Sequence, residues 1–450
     1  MAIDWFLERL APRGEQQAFV WTDRAYSYAW LAAAVGKWQD RLRQGGIVPG
    51  QVVSVHGDYS PSLSALLLAL TANGNIVVPI ASAAAENQGQ FTELAQAEVA
   101  FHFQSDDSWR IEPQNMAVTH ELLLSLRQGG RPGLVLFSSG STGKSKGIVH
   151  DLSRLLEKFR TPRAAFRTIG FLLLDHIGGI NTLLHTLANG GTLITPAGRT
   201  PGEVCAAIGR HRAELLPSSP TFLNLMLVAE THQQYDLSSL KLITYGTEVM
   251  PESILRRLTQ ALPGVTLAQT YGLSELGILR AKSRSSDSLW VKVGGEGVET
   301  RVVDGVLWVR TSAAMLGYLN APSPFSADGW FNTGDRVEQD GEYLRILGRE
   351  SDWINVGGQK VYPAEVESVL LEMENVLDAT VYGERHPLTG HMVAVTVLLA
   401  KPEDLTGLKQ RMRAHCAGRL EPFKIPIKVI VAEQAAHSDR FKKRRPRQGP

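Results

Sequence analysis

The sequence predicts an α/β fold: a large N-terminal domain of layered α/β subdomains plus a β-rich subdomain, followed by a small α+β domain. Three observations lead to this prediction. Short apolar runs alternate with helix-like stretches from residue 18 to about residue 261, short strands with tight turns follow between residues 290 and 347, and a mixed pattern fills the last hundred residues. With 450 residues, the chain has room for two or three domains of about 150 residues each.

The N-terminal alternation is typical of parallel strands joined by helices, because buried strands are short apolar runs and crossover helices show a longer amphipathic period. The predicted strands are 52–55, 76–80, 134–137, 192–195 and 240–245. The predicted helices are 28–42, 202–212 and 251–261. A layered sheet flanked by helices is therefore expected.

Two Asp-Gly pairs, at 304–305 and 340–341, mark tight turns between the next predicted strands, which are 300–303, 306–310 and 343–346. We expect a domain boundary just after this meander, which divides the chain into 1–348 and 349–450. The second domain opens with a helix at Pro363, a favoured first helical residue. Its predicted elements are helix 363–374, strands 377–382 and 392–399, and helix 406–416.

Composition excludes several classes of protein. Hydrophobic residues make up 44% of the chain and charged residues 20%, the profile of a globular enzyme, and a net charge of +1 gives no general attraction to nucleic acid. The most apolar segment, 63–80, is interrupted by Asn73-Gly74-Asn75, so no membrane span is expected. The first ten residues lack a signal-peptide layout, and Cys205 and Cys416 have no metal-ligand spacing. We expect a cytoplasmic protein with free thiols.

The stretch 137–147, Phe-Ser-Ser-Gly-Ser-Thr-Gly-Lys-Ser-Lys-Gly, directly follows a predicted strand. Its glycines let backbone N–H groups approach a polyphosphate, and its hydroxyls and lysines add donors and positive charge. A Walker A loop is excluded, because only two residues separate Gly140 from Gly143 where that motif requires four. Taken alone, the stretch could also be a flexible surface loop.

This loop resembles the Ser-Gly-Ser/Thr-Thr-Gly-x-Pro-Lys-Gly motif of the adenylate-forming superfamily, which includes acyl- and aryl-CoA synthetases, adenylation domains of nonribosomal synthesis and firefly luciferase. Ser145 stands where the motif has proline. The resemblance implies that the loop clasps the β- and γ-phosphates of ATP, with Lys146 rather than Lys144 as the matched lysine. The residues so implied are Ser138, Ser139, Gly140, Ser141, Thr142, Gly143 and Lys146.

Further motifs follow in the family's order. Tyr271-Gly-Leu-Ser-Glu275 resembles Tyr-Gly-x-Thr/Ser-Glu, which implies that Tyr271 lies against adenine, Ser274 meets phosphate and Glu275 holds Mg²⁺. The remaining nucleotide contacts implied by resemblance are the adenine-binding strand end at Gly246, Thr247 and Glu248, the motif glycine Gly272, and the ribose-binding pair Asp335 and Arg349. Outside this context, 245–248 and Asp335 would each be assigned to a turn.

The last motifs imply a mobile C-terminal domain. The family's hinge position falls on Ser351, where an acidic residue or lysine is common, and Gly357 and Gly358 match the glycines of the thiol tunnel, although a tight turn would also explain them. The segment 438–445 resembles Thr-x-x-Gly-Lys-x-x-Arg, with Phe441 in place of glycine. Lys442 is then the catalytic lysine, with Lys443 as the alternative.

The segment 173–181, Leu-Leu-Asp-His-Ile-Gly-Gly-Ile-Asn, aligns with the family's histidine-containing segment beside the carboxylate pocket. The resemblance implies that His176 orients or gates the acid, with Asp175, Ile177 and Gly179 close to it. A lone histidine is otherwise often a satisfied core residue. Amino-acid-activating relatives have an aspartate where this chain has Ile177, which disfavours an α-amino acid and leaves aryl and fatty acids open.

The family resemblance implies an ATP- and Mg²⁺-dependent acid-thiol ligase that forms an acyl-AMP, releases pyrophosphate and transfers the acyl group to coenzyme A. The alternative acceptor is the phosphopantetheine of a separate carrier protein, since no carrier attachment motif follows the small domain. A second class of function rests on the basic segment 440–447, with six basic residues in eight positions, which could bind nucleic acid. We expect no nucleic-acid partner, because Lys442 explains part of that segment.

Overall fold

The computed structural model describes residues 3–139, 145–435, 437–438 and 441–446. Its strands, in chain order, are β1 Gln17–Trp21, β2 Arg24–Ser27, β3 Val52–His56, β4 Ile76–Ile80, β5 Val99–Phe103, β6 Trp109–Pro113, β7 Gly133–Ser139, β8 Ser145–Asp151, β9 Arg167–Ile169, β10 Thr192–Ile194, β11 Leu215–Ser218, β12 Leu242–Tyr245, β13 Thr266–Gln269, β14 Tyr271–Leu273, β15 Gly277–Leu279, β16 Ala281–Ser283, β17 Trp290–Val293, β18 Val298–Val303, β19 Val306–Thr311, β20 Gly317–Tyr318, β21 Phe331–Asp340, β22 Tyr343–Arg349, β23 Ile354–Val356, β24 Gln359–Val361, β25 Val376–His386, β26 Gly390–Leu399 and β27 Lys428–Ala432.

The α-helices of the described residues are α1 Asp4–Glu8, α2 Tyr28–Gln44, α3 Pro61–Asn73, α4 Gln88–Leu94, α5 Glu121–Gln128, α6 Leu152–Leu156, α7 Ile177–Asn189, α8 Pro201–His211, α9 Pro220–Val228, α10 Thr231–Gln234, α11 Glu252–Ala261, α12 Pro363–Leu370 and α13 Leu405–Cys416. The longer helices carry local start and stop signals. The Ser60 hydroxyl accepts from the Leu63 N–H to cap α3, which ends at Gly74 in the left-handed conformation. Among the described residues, no helix is long and apolar enough to cross a membrane.

One mainly parallel sheet and one mixed sheet form the layered part of the N-terminal domain. One has the order β13-β12-β11-β9-β10-β1-β2 and the other the order β20-β8-β7-β4-β3-β5-β6. Apolar side chains of α2, α3 and α7, such as Leu31, Leu66 and Leu183, share one core with Phe19 and Val55 of the two sheets. Burial on both faces explains the continuous apolar runs that the sequence shows for β3, β4 and β7.

The β-rich part is an antiparallel sheet with the order β16-β17-β22-β21-β19-β18. Asp304 and Gly305 both have positive φ, at 51° and 75°, and close the hairpin between β18 and β19. Two left-handed residues are what a two-residue hairpin turn requires, so the predicted Asp-Gly turn is confirmed. Beneath this sheet, a separate apolar cluster includes Val291, Leu307 and Val309.

The smaller C-terminal domain contains a sheet with the order β24-β23-β26-β25, and β27 pairs in parallel with β26. Its core is continuous with that of the first N-terminal sheet, since Leu370 and Val381 belong to the same apolar cluster as Phe222 and Leu255. Polar contacts cross the same boundary: the Ser253 N–H donates to the Ser368 hydroxyl at 3.1 Å. The two domains therefore pack closely in this conformation.

The predicted α/β architecture, with a large N-terminal and a smaller C-terminal domain, is confirmed. The prediction for helix 363–374 was too long, because α12 ends at Leu370. After it the chain tightens into four-residue turns, with the Met373 N–H donating to the Leu370 carbonyl and Asn375 in the left-handed conformation. This tight reversal leads directly into β25, which is longer than the predicted strand 377–382.

Candidate active site

A cavity of about 360 Å³ lies between the two domains, and we call it the interdomain cavity. Its walls come from several segments, which include the start of α9, the ends of β12 and β13, β14, β21, the end of β22 with the turn after it, α12 and the C-terminal tail. It collects many of the residues that sequence analysis singled out, which are Thr247, Glu248, Tyr271, Gly272, Asp335, Arg349, Ser351 and Lys442. Parallel strands end at a common sheet edge, which is where ligands bind in open α/β sheets.

Tyr271, Asp335 and Arg349 form a connected group in this cavity. The Tyr271 hydroxyl donates to Asp335 Oδ2 at 2.6 Å, and Arg349 Nε lies 3.3 Å from Asp335 Oδ1. Burial raises the pKa of the Asp335 carboxyl, and Arg349 opposes that rise. Burial together with the Asp335 charge raises the pKa of Tyr271 well above its usual value. The two carboxylate oxygens of Asp335 are thus held in place beside the Arg349 cation. Two fixed acceptor oxygens suit the two hydroxyls of a ribose.

The turn after β12 has an unusual backbone. Thr247 has φ 72°, which a β-branched residue rarely adopts, and such strain is typical of functional sites. A Cβ on Gly246 would lie 2.5 Å from Thr270 Oγ1, so only glycine fits there. Glu248 then connects the domains, because its Oε2 accepts from the Thr221 hydroxyl at 2.6 Å and its Oε1 from the Lys443 N–H at 2.7 Å.

The tail places Lys442 and Lys443 in different surroundings. Lys442 is half-buried and lines the interdomain cavity. Lys443 points into the C-terminal domain, where its ammonium lies 3.2 Å from Glu367 Oε2 and donates to the Ala379 carbonyl. Arg445 pairs with Glu367 Oε1 at 2.8 Å. Two of the basic residues that suggested nucleic-acid binding are therefore partners of a buried glutamate.

The phosphate loop is only partly described. Gly140, Ser141, Thr142 and Gly143 lie outside the described residues. On either side of them, β7 and β8 pair with Ser138 opposite Lys146 and Ser139 opposite Ser145. The Lys146 ammonium lies 4.8 Å from the ring centre of Tyr318, whose hydroxyl donates to Glu275 Oε1 at 2.8 Å. Lys146 and Glu275 thus share one aromatic neighbour.

Ser274 and Gly272 hold the turn around Glu275. The Ser274 carbonyl lies 2.6 Å from His150 Nε2, and burial lowers the pKa of His150 to about 4, so this histidine is neutral. A Cβ on Gly272 would lie 2.6 Å from the Gly277 carbonyl, which leaves room only for glycine in this hairpin. Within the described ranges, no group of three or more His, Cys, Asp or Glu side chains could hold a metal ion.

The predicted hinge and tunnel residues lie in turns. Ser351 belongs to a turn closed by the Asp352 N–H, which donates to the Arg349 carbonyl at 3.0 Å. Gly357 and Gly358, with φ of 59° and 90°, form the exposed turn between β23 and β24. The residues that line the interdomain cavity include Ser351 but neither of these glycines.

The predicted acid-binding segment begins α7. His176 is its N-cap, with Nδ1 accepting from the Gly178 N–H at 3.2 Å. Asp175 and Ile177 are buried. The space beside Gly179 is filled, because a Cβ there would lie 2.0 Å from the Leu173 carbonyl and 2.9 Å from the Tyr59 hydroxyl. Gly179 thus allows close packing at the start of the helix.

A second cavity, of about 420 Å³, is lined in part by α7, and we call it the basic cavity. The polar residues that line it were not predicted from the sequence, and they include Lys158, Arg163, Asn181, Thr182, His185, Thr186 and Arg280. The available signal was the i, i+1, i+4, i+5 spacing of Asn181, Thr182, His185 and Thr186 on an otherwise apolar helix. Gln269 and Thr270 line both cavities, so the two meet at the end of β13.

Comparisons with known proteins agree with this architecture. Residues 125–319 match the family model of the AMP-binding enzyme, and residues 365–442 match that of the AMP-binding enzyme C-terminal domain. The chain is 27% identical to an indoleacetate–CoA ligase of Aromatoleum aromaticum, over 96% of this chain and 94% of that enzyme. It is 25% identical to a long-chain-fatty-acid–CoA ligase of Mycobacterium tuberculosis, over 96% of this chain and 94% of that enzyme.

The fold is also similar to a crystal structure of an anthranilate CoA ligase in complex with anthranoyl-AMP. The TM-score is 0.82 at 20% sequence identity, covering 98% of this chain and 95% of that chain.

Proposed function

Because this chain belongs to the AMP-binding enzyme family, we propose that it is an ATP-dependent ligase that activates a carboxylic acid as acyl-AMP and transfers the acyl group to coenzyme A. The single observation that carries this proposal is the interdomain cavity, in which Tyr271, Asp335 and Arg349 lie together with Lys442 of the tail. The two relatives that are CoA ligases support coenzyme A as the acceptor.

In the first half-reaction, a carboxylate oxygen of the acid attacks the α-phosphorus of ATP, and the bond from that phosphorus to the pyrophosphate oxygen breaks. Negative charge gathers on the phosphate oxygens, so catalysis requires positioning and positive charge. Lys442 is the proposed catalytic cation. Asp335 and Arg349 hold the ribose, and the 246–248 turn and Tyr271 hold the adenine.

The β- and γ-phosphates would be held by the 138–146 loop, with Lys146 as its cation. Glu275 suits a magnesium site, because Mg²⁺ is usually bound by one or two carboxylates together with substrate phosphates, and Glu275 is a half-buried carboxylate close to Lys146. When bound, Mg²⁺ would neutralise phosphate charge. Glu275 would hold it, and Tyr318 fixes the Glu275 side chain through its hydroxyl.

In the second half-reaction, the thiol of coenzyme A attacks the acyl carbon, the bond from that carbon to AMP oxygen breaks, and the thiol proton passes to solvent. We place the domain boundary after residue 348, with Ser351 as the hinge. Rotation there would withdraw Lys442 and bring Gly357 and Gly358 to the thiol. Their positive φ values and exposed turn support a surface where a narrow thiol arm can pass close to backbone.

We place the acid in the basic cavity, with His176 at the start of α7 as an orienting or gating residue. Ile177 is buried and apolar, so the position used by amino-acid-activating relatives offers no carboxylate to an α-ammonium. Asp175, Ile177 and Gly179 would then act indirectly, by fixing the start of α7 and with it the position of His176. We propose a cytoplasmic location, which buried free thiols at Cys205 and Cys416 support.

The test is acid-dependent ATP–pyrophosphate exchange across aryl, short-chain, long-chain and dicarboxylic acids, followed by mass spectrometry of thioester products. Coenzyme A and a phosphopantetheinylated carrier protein are offered in parallel as acceptors. We expect exchange with at least one class of acid and a coenzyme A thioester as the product. Asp335→Asn, which we expect to bind ATP more weakly, is the matched low-activity variant. Exchange with none of the acids would show the proposal to be wrong.

A further inference from the structure

The basic cavity carries positive charge without a matching negative charge. Lys158, Arg163 and Arg280 line it, whereas no aspartate or glutamate occurs among its described lining residues. Arg280 has one weak partner, since its Nη1 lies 3.9 Å from the exposed carboxylate of Glu296. Arg163 is an exposed residue of the cavity wall and forms no ion pair with any described residue. A cavity of this composition is suited to an anion.

Lys158 is the innermost of these cations. Its ammonium donates to Asn181 Oδ1 at 2.5 Å and to the Ile278 carbonyl at 2.9 Å, which are both neutral acceptors. No carboxylate of the described residues lies within 4.0 Å of it. Burial, together with the charge of Arg163, lowers the pKa of Lys158 to about 7. A buried ammonium without a counter-charge is unfavourable, so an anion that enters this cavity gains a strong partner.

Two further polar side chains of the basic cavity are placed to form hydrogen bonds with a ligand. Thr186 Oγ1 and Gln269 Oε1 are buried and have no hydrogen-bond partner among the described residues, and both side chains line the basic cavity. Buried polar atoms are normally satisfied. Gln269 and Thr270 also line the interdomain cavity. One ligand can therefore reach from the proposed site of adenylation to Lys158.

We propose that the acid substrate carries a second anionic group, such as a second carboxylate, which binds Lys158 while the reacting carboxylate lies at Gln269 and Thr270. This inference rests on the proposed function, because it assigns the basic cavity to the acid. An unbranched fatty acid would leave the ammonium of Lys158 desolvated and without a counter-charge. A positively charged substrate would be repelled by Lys158 and Arg163.

Binding tests this assignment without catalysis. The probes are α,ω-dicarboxylic acids of four to eight carbons and benzene dicarboxylic or carboxyphenyl-alkanoic acids, each paired with its monoamide, which keeps the shape but loses one charge. Calorimetric titration of the full chain with AMP present should show at least one diacid binding about 10- to 100-fold more tightly than its monoamide. Lys158→Met should remove that preference, whereas Lys292→Met, on an exposed lysine of β17, should keep it.

Proton uptake gives an independent readout. The charged and titratable groups around Lys158 are Arg163, His185 of α7 and Arg280, and the pKa of His185 is lowered to about 4 by burial and by its cationic neighbours. Between pH 6 and pH 9 only Lys158 of this set titrates. Diacid affinity should therefore fall about tenfold per pH unit above pH 7, with proton uptake measured from buffers of different ionisation enthalpy. Lys158→Met should abolish both effects.

Arg163→Gln is a second variant, on an exposed residue, in case Lys158→Met fails to fold, and it should weaken diacid binding several-fold. Equal binding of every diacid and its monoamide would overturn the inference, and so would a preference that Lys158→Met leaves unchanged. Failure of the proposed function is a different result: pyrophosphate exchange would then be absent for all acids, while the charge preference in binding is measured separately.

Discussion

The ring of Phe441 packs edge-to-face against the ring of Phe222, with centroids 5.0 Å apart, and so anchors the residue before Lys442 to the N-terminal domain. The Ser219 hydroxyl donates to the Phe441 carbonyl at 2.8 Å, and the Arg199 guanidinium lies 5.1 Å from the ring centre. Phe441 has φ 49°, the left-handed conformation that glycine adopts readily. The position where the family motif has glycine thus has a backbone conformation that suits glycine, while the Phe441 side chain adds a contact between domains.

Because of this contact, we expect Phe441→Gly to slow adenylation but not thioester formation. Relief of the left-handed strain gains about 1–2 kcal/mol, whereas loss of a buried phenylalanine costs about 3–5 kcal/mol. The conformation that places Lys442 in the interdomain cavity is therefore less populated. We expect pyrophosphate exchange to fall about 10- to 100-fold, with thioester formation from preformed acyl-adenylate unchanged. A parallel loss of both half-reactions would contradict the anchoring role.

We expect Lys442 to be a catalytic residue and Lys443 to be a structural one. Lys442→Ala removes a cation from the cavity, so adenylation should fall about 10²- to 10³-fold at unchanged melting temperature. Lys443→Ala leaves the buried Glu367 with one partner fewer, so it should lower stability by about 3 kcal/mol. Thermal unfolding and both half-reactions of each variant provide the measurement. If Lys443→Ala is stable and inactive, the two roles are reversed.

The nucleotide site predicts that substitutions at Tyr271 and Asp335 raise the KM for ATP by different amounts. Tyr271→Phe keeps the ring and removes one hydrogen bond to a charged group, which should raise the KM for ATP about 10-fold. Asp335→Asn also removes the charge that pairs with Arg349, so it should raise the KM for ATP more than Tyr271→Phe does. Initial rates of pyrophosphate exchange against ATP concentration test this. An unchanged KM for ATP in Asp335→Asn would remove the ribose assignment.

Adjacent glycines at the start of α7 offer a matched pair of variants. A Cβ at Gly179 would lie 2.0 Å from the Leu173 carbonyl, whereas at Gly178 the nearest atoms are 3.4 Å away. Gly179→Ala should therefore destabilise the protein by about 1–3 kcal/mol through overpacking. Gly178→Ala should be neutral or stabilising, because alanine favours helix. Denaturant unfolding of the two variants measures the difference, and equal midpoints would contradict the packing at Gly179.

Much of the interdomain cavity could be predicted from the sequence, because Tyr271, Asp335 and Arg349 lie in ordered motifs that the family resemblance identifies. The basic cavity could not. Lys158 follows α6, Asn181 lies on α7 and Ile278 lies on β15, and only the packing of three distant segments brings them together. The positive φ of Phe441 could not be predicted from the sequence either, because a bulky residue gives no sign of a left-handed backbone.

The network around Glu367 predicts a pH dependence of stability. Burial alone would raise the pKa of Glu367, but the charges of Arg445 and Lys443 outweigh it and hold the pKa below its usual value of 4.5. A lowered pKa in the folded state stabilises the protein above pH 4.5, and this contribution is lost as pH falls through the folded-state value. Stability should therefore drop below pH 4.5 more steeply in the wild type than in Glu367→Gln.

Glu367→Gln should in addition be about 3 kcal/mol less stable at pH 7, since the buried Lys443 and the partly buried Arg445 lose the carboxylate that they share. Glu342→Gln is the matched control. It neutralises an exposed partner of Lys292 and should change stability by less than about 1 kcal/mol. Urea unfolding of the three proteins between pH 3 and pH 7 gives the free energies. If wild type and Glu367→Gln lose stability in parallel on acidification, Glu367 is not the group that titrates, and the tail is held by Phe441 and Glu248 instead.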